Sequence, residues 1–251
     1  MDTPLHFKGK QAPDHVIEAR LKGLIAAEEI HGAELPGHYS AAADSAKETA
    51  LILLVLWTLF SELHFSLSSI HWISLSFITG WIFWKVGRSA ILGYSRLERL
   101  HRLIEEERWE IEHHRPQERE ELKTLYAAKG FSGHLLDEVI DVLMADDNRL
   151  LQVMLEEELG LKMESYEHPL KQALGAFCGT LASALVMACG FFVLPWWGSI
   201  ASAGAVIIIA SAFVAKFERN DPMSAILWNL ASATLAAGAA FFAAQIFIKI
   251  S

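Results

Sequence analysis

The 251-residue sequence has only two cysteines, fewer basic than acidic residues, and long stretches without any charge. Cys178 and Cys189 lie in one apolar run, about 16 Å apart along a helix, which is too far for a disulfide between them. The sequence has 21 lysines and arginines and 30 acidic residues, which gives a net charge of -9, and the basic residues form no basic stripe. This balance argues against a nucleic-acid partner, because binding phosphates needs a basic face.

The charge-free stretches have the length of membrane spans, and they are Leu63 to Trp84, Gln172 to Ala215 and Met223 to Phe247. A helix needs about 20 apolar residues to cross roughly 30 Å of hydrocarbon. The sequence LPWWGS, with Pro195 and Gly198, divides the second stretch into two spans. Thr49 to Trp84 is long enough for two more spans that turn at ELHFSLSSIHW. We therefore expect an all-α, five-span integral membrane protein.

The basic residues predict the orientation of these spans. Every lysine and arginine except Lys249 lies on one side of the predicted membrane, and short loops rich in these residues are cytoplasmic. We expect a multi-pass protein of a bacterial inner membrane or an organelle membrane. Its N-terminus would be cytoplasmic, and its C-terminus would lie on the opposite side.

This topology predicts four regions along the chain. Residues 1–47 form a cytoplasmic N-terminal segment, in which VIEARLKGLIAA favours an amphipathic helix on the membrane surface. Residues 48–94 form a transmembrane hairpin of spans 1 and 2. Residues 95–168 form a cytoplasmic helical insert, and residues 169–251 contain spans 3 to 5.

Breakers divide the insert into three helices that follow an extension of the second span. Pro116 ends that extension and suits the first turn of a new helix, which would stop at Gly130. The sequence SGHLLDEVIDVLM predicts a short helix that opens at Ser132. A third helix, NRLLQVMLEEELG, would start near Asp147 or the next residue and end at Gly160.

Carboxylates are concentrated where the extension of the second span meets the first of these helices, in the sequence EEERWEIEHHRPQEREE of residues 105–121. Glu107 and Glu110 are three residues apart, as are Glu118 and Glu121, so each pair shares one helix face. The two pairs meet if the chain folds back between them. The alternative is that these acids simply form the solvated faces of the helices.

Met154 and Glu158 share a face of the last helix of the insert, because they are four residues apart. Together with the acidic pairs they would offer carboxylate oxygens and one thioether. Adding sulfur to oxygen ligands favours a transition metal such as Fe²⁺ or Mn²⁺ over Ca²⁺ or Mg²⁺. The alternative for Met154 is a place in the apolar core, which is the commoner role of a methionine at this spacing.

The stretch from Glu98 to Leu161 resembles the cytoplasmic metal-binding domain of the vacuolar iron transporter family. The resemblance implies five spans, a three-helix insert after the second span and a homodimer in the lipid bilayer. It also implies a transporter rather than an enzyme, which exports Fe²⁺ or Mn²⁺ from the cytoplasm in exchange for protons and uses no organic cofactor. The metal ligands that it implies are Glu107, Glu110, Glu118, Glu121, Met154 and Glu158, with Leu155 where the family often has a second methionine.

The membrane part of the sequence departs from that family, whose first and second spans carry acidic motifs. No Asp or Glu occurs from Leu63 to Leu97. Asp44 and Glu48, in ADSAKETALI, are the candidates for the translocation path, because acids within a membrane mark ion pathways. The alternative is that both lie at the interface. The missing acid leaves a second function open, a membrane-anchored metal-binding or sensing module that transports nothing.

Overall fold

The computed structural model describes residues 35–159, 167–194 and 197–250, and the regular structure within these ranges is entirely α-helical. The described helices are α1 (Gly37–Glu62), α2 (Leu67–His113), α3 (Arg115–Ala128), α4 (Gly133–Met144), α5 (Asp147–Glu157), α6 (Pro169–Val193), α7 (Gly198–Phe217) and α8 (Pro222–Ile250). The expected all-α class is confirmed for these residues. The amphipathic helix predicted for VIEARLKGLIAA lies outside the described residues.

The helices form two compact units. One unit contains α3, α4, α5 and the part of α2 that begins at Tyr94, and the other contains α1, α6, α7, α8 and the part of α2 that ends at Gly93. Helix α2 is continuous over 47 residues, which agrees with the predicted absence of a breaker after Gly93, whereas its role as a second span stays a prediction. The part of the chain from Tyr94 in the first unit covers most of the residues predicted to form the insert, and the cytoplasmic position of the insert stays a prediction.

Among the described helices three, α6, α7 and α8, are long and apolar enough to cross a membrane. This identifies an integral membrane protein. Helix α1 has 26 residues, which is enough to cross a membrane. It begins at Gly37 rather than near residue 48, so polar and charged residues occupy its first turns. The first part of α2 is rich in serine. Five spans therefore remain a proposal.

The chain reverses between α1 and α2 over a few residues, as the sequence predicts for a hairpin. Helix α1 ends at Glu62 and α2 begins at Leu67. His64 takes a φ of 55°, in the left-handed region that tight turns use. The backbone N–H of Phe65 donates to the carbonyl oxygen of Phe60 and closes the end of α1.

Helices α1 and α6 approach each other closely because two glycines of α6 face the backbone of α1. A Cβ atom at Gly175 would overlap the carbonyl oxygen of His38, and one at Gly179 would overlap that of Ala42. Small residues four apart allow this contact in membrane helices. Near the same ends, the backbone N–H of His38 donates to Glu167 at 2.9 Å, and its ring nitrogen Nδ1 lies 2.6 Å from the other carboxylate oxygen. The glycines therefore fix the register of α1 on α6.

The insert has the helices that its breakers predict. Pro116 occupies the first turn of α3, and Gly130 follows that helix with a φ of +97°. Helix α4 begins directly after Ser132, and α5 begins at Asp147. The carboxylate of Asp146 caps α5 by accepting a hydrogen bond from the backbone N–H of Arg149 at 2.8 Å. The predicted helix starts are thus confirmed to within a residue.

We expect Gly175→Ala to destabilise the protein, because the new Cβ overlaps a backbone oxygen that cannot rotate away. Overpacking typically costs about 1–3 kcal/mol, and alanine regains up to about 1 kcal/mol of helix propensity. The melting temperature of the purified protein in mild detergent should fall by about 2–6 °C. Gly204→Ala is the matched control, since a Cβ there meets open space. Equal melting temperatures for the two variants would contradict the role of Gly175.

Candidate metal centre

An apolar cluster joins all four helical segments of the insert. Its largest members are completely buried, and they are Leu122 on α3, Ile140 on α4, and Leu150, Met154 and Leu155 on α5. Leu100 and Ile111 extend the cluster onto α2. Burying a leucine-sized side chain contributes about 1.5–3 kcal/mol, so this packing can hold the helices in one arrangement.

The chain folds back between α2 and α3 at His114, whose φ of -128° and ψ of 31° are not helical. The guanidinium of the next residue, Arg115, holds the reversed chain in place. It donates to the carboxylate of Asp147 at 2.6 Å and to the carbonyl oxygen of Met144 at 2.6 Å. The start of α3 is therefore tied to the junction of α4 and α5, which brings the faces of α2, α3 and α5 together.

Three carboxylates meet inside this arrangement. Glu107 of α2, Glu118 of α3 and Glu158, which follows the last residue of α5, each offer an oxygen within 4.8 Å of the other two. Their exposed fractions are 4%, 0% and 2%. Glutamates are almost never fully buried unless they are paired, protonated or bound to a metal. The three side chains thus form a closed site of concentrated negative charge.

Glu121 is a fourth member of the group, since it is completely buried and hydrogen-bonded to Glu158. A hydrogen bond between two carboxyl groups requires a proton on one of them. Burial raises the pKa of the Glu158 carboxyl well above its usual range, and the charges of Glu107, Glu121 and Glu118 raise that pKa further. The site therefore favours a proton on Glu158.

The remaining two predicted ligands are placed differently. Glu110 is only half-buried, one turn beyond Glu107, and it is not among the three carboxylates that converge. Met154 is completely buried one turn before Glu158 and belongs to the apolar cluster. A place in the apolar core is the alternative that the sequence left open for this residue. Leu155 is buried in the same cluster. Ligation by Glu110 and by the thioether of Met154 stays a prediction.

The three converging oxygens have a spacing that suits a divalent ion. Around an octahedral ion with bonds of about 2.1–2.5 Å, neighbouring oxygens lie about 3–3.5 Å apart and opposite ones about 4–5 Å apart. Oxygens within 4.8 Å of one another reach such positions with small rotations of their side chains. A cation would also neutralise the negative charge that packing holds together in this site.

The two candidates for a translocation path, Asp44 and Glu48, both lie on α1 and both pair with lysines. Asp44 lies 2.9 Å from Nζ of Lys47, and Glu48 lies 2.8 Å from Nζ of Lys85 on α2. The role of Lys85 as partner of Glu48 was not predicted. The sequence feature that indicates this role is the position of Lys85 as the first charged residue after the charge-free stretch, where a lysine needs a counter-ion.

Comparison with known proteins gives one family. A family model described as the VIT family matches residues 93–245, which is more than half of the chain. The match includes the converging Glu107, Glu118 and Glu158 and continues through α6 and α7 into α8. No curated protein matches the chain.

We expect the metal-free protein to lose stability as the pH rises above the ordinary range of a glutamate. The folded state holds the proton of Glu158 more tightly than the unfolded chain does, so the protonated side chain adds to the free energy of unfolding. That stabilisation is complete at low pH and is lost as Glu158 ionises. Glu158→Gln should remove that dependence and raise the melting temperature at pH 8 by about 2–4 °C. Mn²⁺ should stabilise the wild type far more than this variant.

The measurement is thermal unfolding between pH 4 and pH 8, with and without Mn²⁺. Glu156→Gln is the control, because Glu156 is an exposed residue of α5. A wild-type pH profile that Glu158→Gln leaves unchanged would contradict this account of the site.

Proposed function

The chain belongs to the VIT family, and on that basis we propose that it exports Fe²⁺, or Mn²⁺, from the cytoplasm in exchange for protons. The VIT family indicates membrane transport of metal ions. The observation that carries the proposal is the convergence of Glu107, Glu118 and Glu158 in a buried site within the matched residues. In this proposal the insert captures the ion on the cytoplasmic side, and the membrane unit carries it across.

The proposed topology has five spans, with the N-terminus in the cytoplasm. Three of the helices that the structure describes qualify by length and composition, and in this proposal α1 and the first part of α2 supply the other two. The 26 residues of α1 extend about 39 Å, which is more than the hydrocarbon thickness. The basic residues on one side of these spans support this orientation.

Crossing the membrane requires ligands for the ion, since a bare divalent ion in hydrocarbon is prohibitively unstable. The charge-free stretch of α2 supplies no carboxylate. We therefore propose that Glu48 is the carboxylate ligand of the crossing ion, together with Asp44 one turn earlier on α1. The exposed position of both side chains on this single chain supports their access to an arriving ion.

A second function has support from one observation. The carboxylate of Glu48 is already paired with Lys85, and the charge-free stretch of α2 offers no acid to replace it. A protein that binds metal in the insert but carries nothing would be a membrane-anchored binding or sensing module. We favour export because the match to the family extends through α6 and α7 into α8 and is not confined to the insert.

We expect purified protein in lipid vesicles to transport Mn²⁺ and Fe²⁺. Glu48→Gln should abolish uptake while metal binding by the insert persists. Glu118→Gln should raise the KM about tenfold, with a smaller loss of maximal rate, because a lost charged ligand typically costs about 1–3 kcal/mol. Glu120→Gln is the matched control, since Glu120 is an exposed residue of the same helix.

Metal influx into vesicles with an internal dye, measured across a range of proton gradients, decides between the two functions. Wild-type vesicles that carry neither ion under any gradient would rule out export. Binding to the insert in the same preparation would then support the binding module.

We also propose a homodimer, supported by the exposed apolar surface of α8. Among the residues of this helix only Ala233 is buried, although it is apolar around its whole circumference. Such a surface faces lipid or a second copy, and the small residues of LAAGAA suit close helix contact. Light scattering in mild detergent, with the detergent mass subtracted, should give twice the mass of the 27.9 kDa chain. A monomer would contradict this assembly.

A further inference from the structure

Lys85 occupies an unusual position at the end of the charge-free part of α2. Only 7% of its surface is exposed, and its ammonium nitrogen lies 2.8 Å from the Oε2 atom of Glu48. One turn earlier on α2, the indole N–H of Trp81 donates to the hydroxyl oxygen of Thr49 at 3.0 Å. Two adjacent contacts therefore hold α2 against α1 at the level of Glu48.

The two partners of the ion pair differ in their access to solvent. The side chain of Lys85 is 8% exposed, whereas that of Glu48 is 55% exposed. A buried ammonium is costly unless it is paired, so Lys85 needs this carboxylate. The carboxylate, in contrast, is open on one side to an ion that arrives from outside the pair. Glu48 is thus a cation site that already contains a cation of the protein itself.

We infer that Lys85 is a built-in competitor for the translocated ion, which lowers the affinity of Glu48 for every cation, so that only a strongly attracted divalent ion still occupies the carboxylate. This inference rests on the transport function proposed above. A monovalent ion that displaces the ammonium exchanges one single charge for another and gains little attraction. A divalent ion doubles the attraction to the carboxylate. The ammonium therefore keeps weakly attracted monovalent ions off the carboxylate without contacting the metal.

A purely structural ion pair would behave differently when Lys85 is changed. Loss of the pair would then lower stability, and any effect on transport would be a fall in maximal rate. Competition predicts instead that the KM moves in opposite directions in two variants. Removal of the ammonium should lower the KM, and a stronger partner for Glu48 should raise it.

The experiment uses the full-length protein in lipid vesicles and measures Mn²⁺ uptake. Lys85→Met keeps an apolar stem in the buried space and should lower the KM about fivefold, which corresponds to about 1 kcal/mol. Lys85→Arg keeps the charge and can bind the carboxylate through two hydrogen bonds, so it should raise the KM about threefold. Lys216→Gln, at an exposed lysine in the last turn of α7, removes one positive charge and should leave the KM unchanged.

Selectivity gives a second readout in the same vesicles. With Lys85→Met, K⁺ should inhibit Mn²⁺ uptake more strongly than a bulky organic cation at equal ionic strength. The wild type should respond equally to both cations. If Lys85→Met fails to fold, Lys85→Arg still tests the inference. A KM that either folded variant leaves unchanged, or moves in the opposite direction, would overturn it.

A binding measurement distinguishes failure of the transport proposal from failure of the inference about Lys85. In protein that carries Glu118→Gln and Glu158→Gln, which remove the capture site, spin resonance counts the Mn²⁺ ions that remain bound. Adding Lys85→Met should strengthen a weak Mn²⁺ site, and adding Glu48→Gln as well should abolish it. If wild-type vesicles carry no metal but this gain occurs, the transport proposal fails, and Lys85 stands only as a competitor for metal binding at Glu48. If the gain does not occur, the role of Lys85 is overturned.

Discussion

The insert depends on holding like charges together in a space that is closed to water. Glu107, Glu118 and Glu158 bring oxygens within 4.8 Å of one another, and all three are buried. Two unit charges at that distance repel by roughly 3.5 kcal/mol at an effective dielectric constant of about 20. The cluster therefore stays closed only if protons or a cation neutralise part of its charge. The raised pKa of Glu158 indicates that, without metal, a proton does so in part.

Helix α3 allows the carboxylates to be buried together because its buried acidic residues and its basic residues lie on different faces. Glu118 and Glu121 are buried against the other carboxylates. Arg119 and Lys123 pair with aspartates of α4 at 2.6 and 3.2 Å. These ion pairs are partly exposed, so each contributes at most about 1 kcal/mol, and they orient α4 more than they stabilise it. The apolar cluster supplies the stability, and its packing is what prevents the carboxylates from moving apart.

The sequence predicts the helices and the fold-back at Pro116, but it does not predict which carboxylates converge. Three residues on a helix turn through about 300°, so two acids at this spacing share a face without pointing at one spot. How each helix is rotated against its neighbours decides the outcome, and α2 buries Glu107 but leaves Glu110 half-exposed. The same limit applies to Lys85, whose position signals the need for a counter-ion. Its pairing with Glu48 depends on the register of α1 and α2, which only the tertiary structure shows.

Proton binding at the capture site and proton-coupled transport are physically separate. A metal ion that bound to the cluster would displace the proton favoured on Glu158, so metal binding is expected to weaken as the pH falls. If the cluster exchanges both ions with one side of the membrane alone, a proton gradient can do no work through it. Coupling requires a group that meets each side of the membrane in turn, and such a group must lie among the membrane helices. Dependence of metal binding on pH is therefore expected of both proposed functions, and only dependence of the flux on the gradient distinguishes an exchanger.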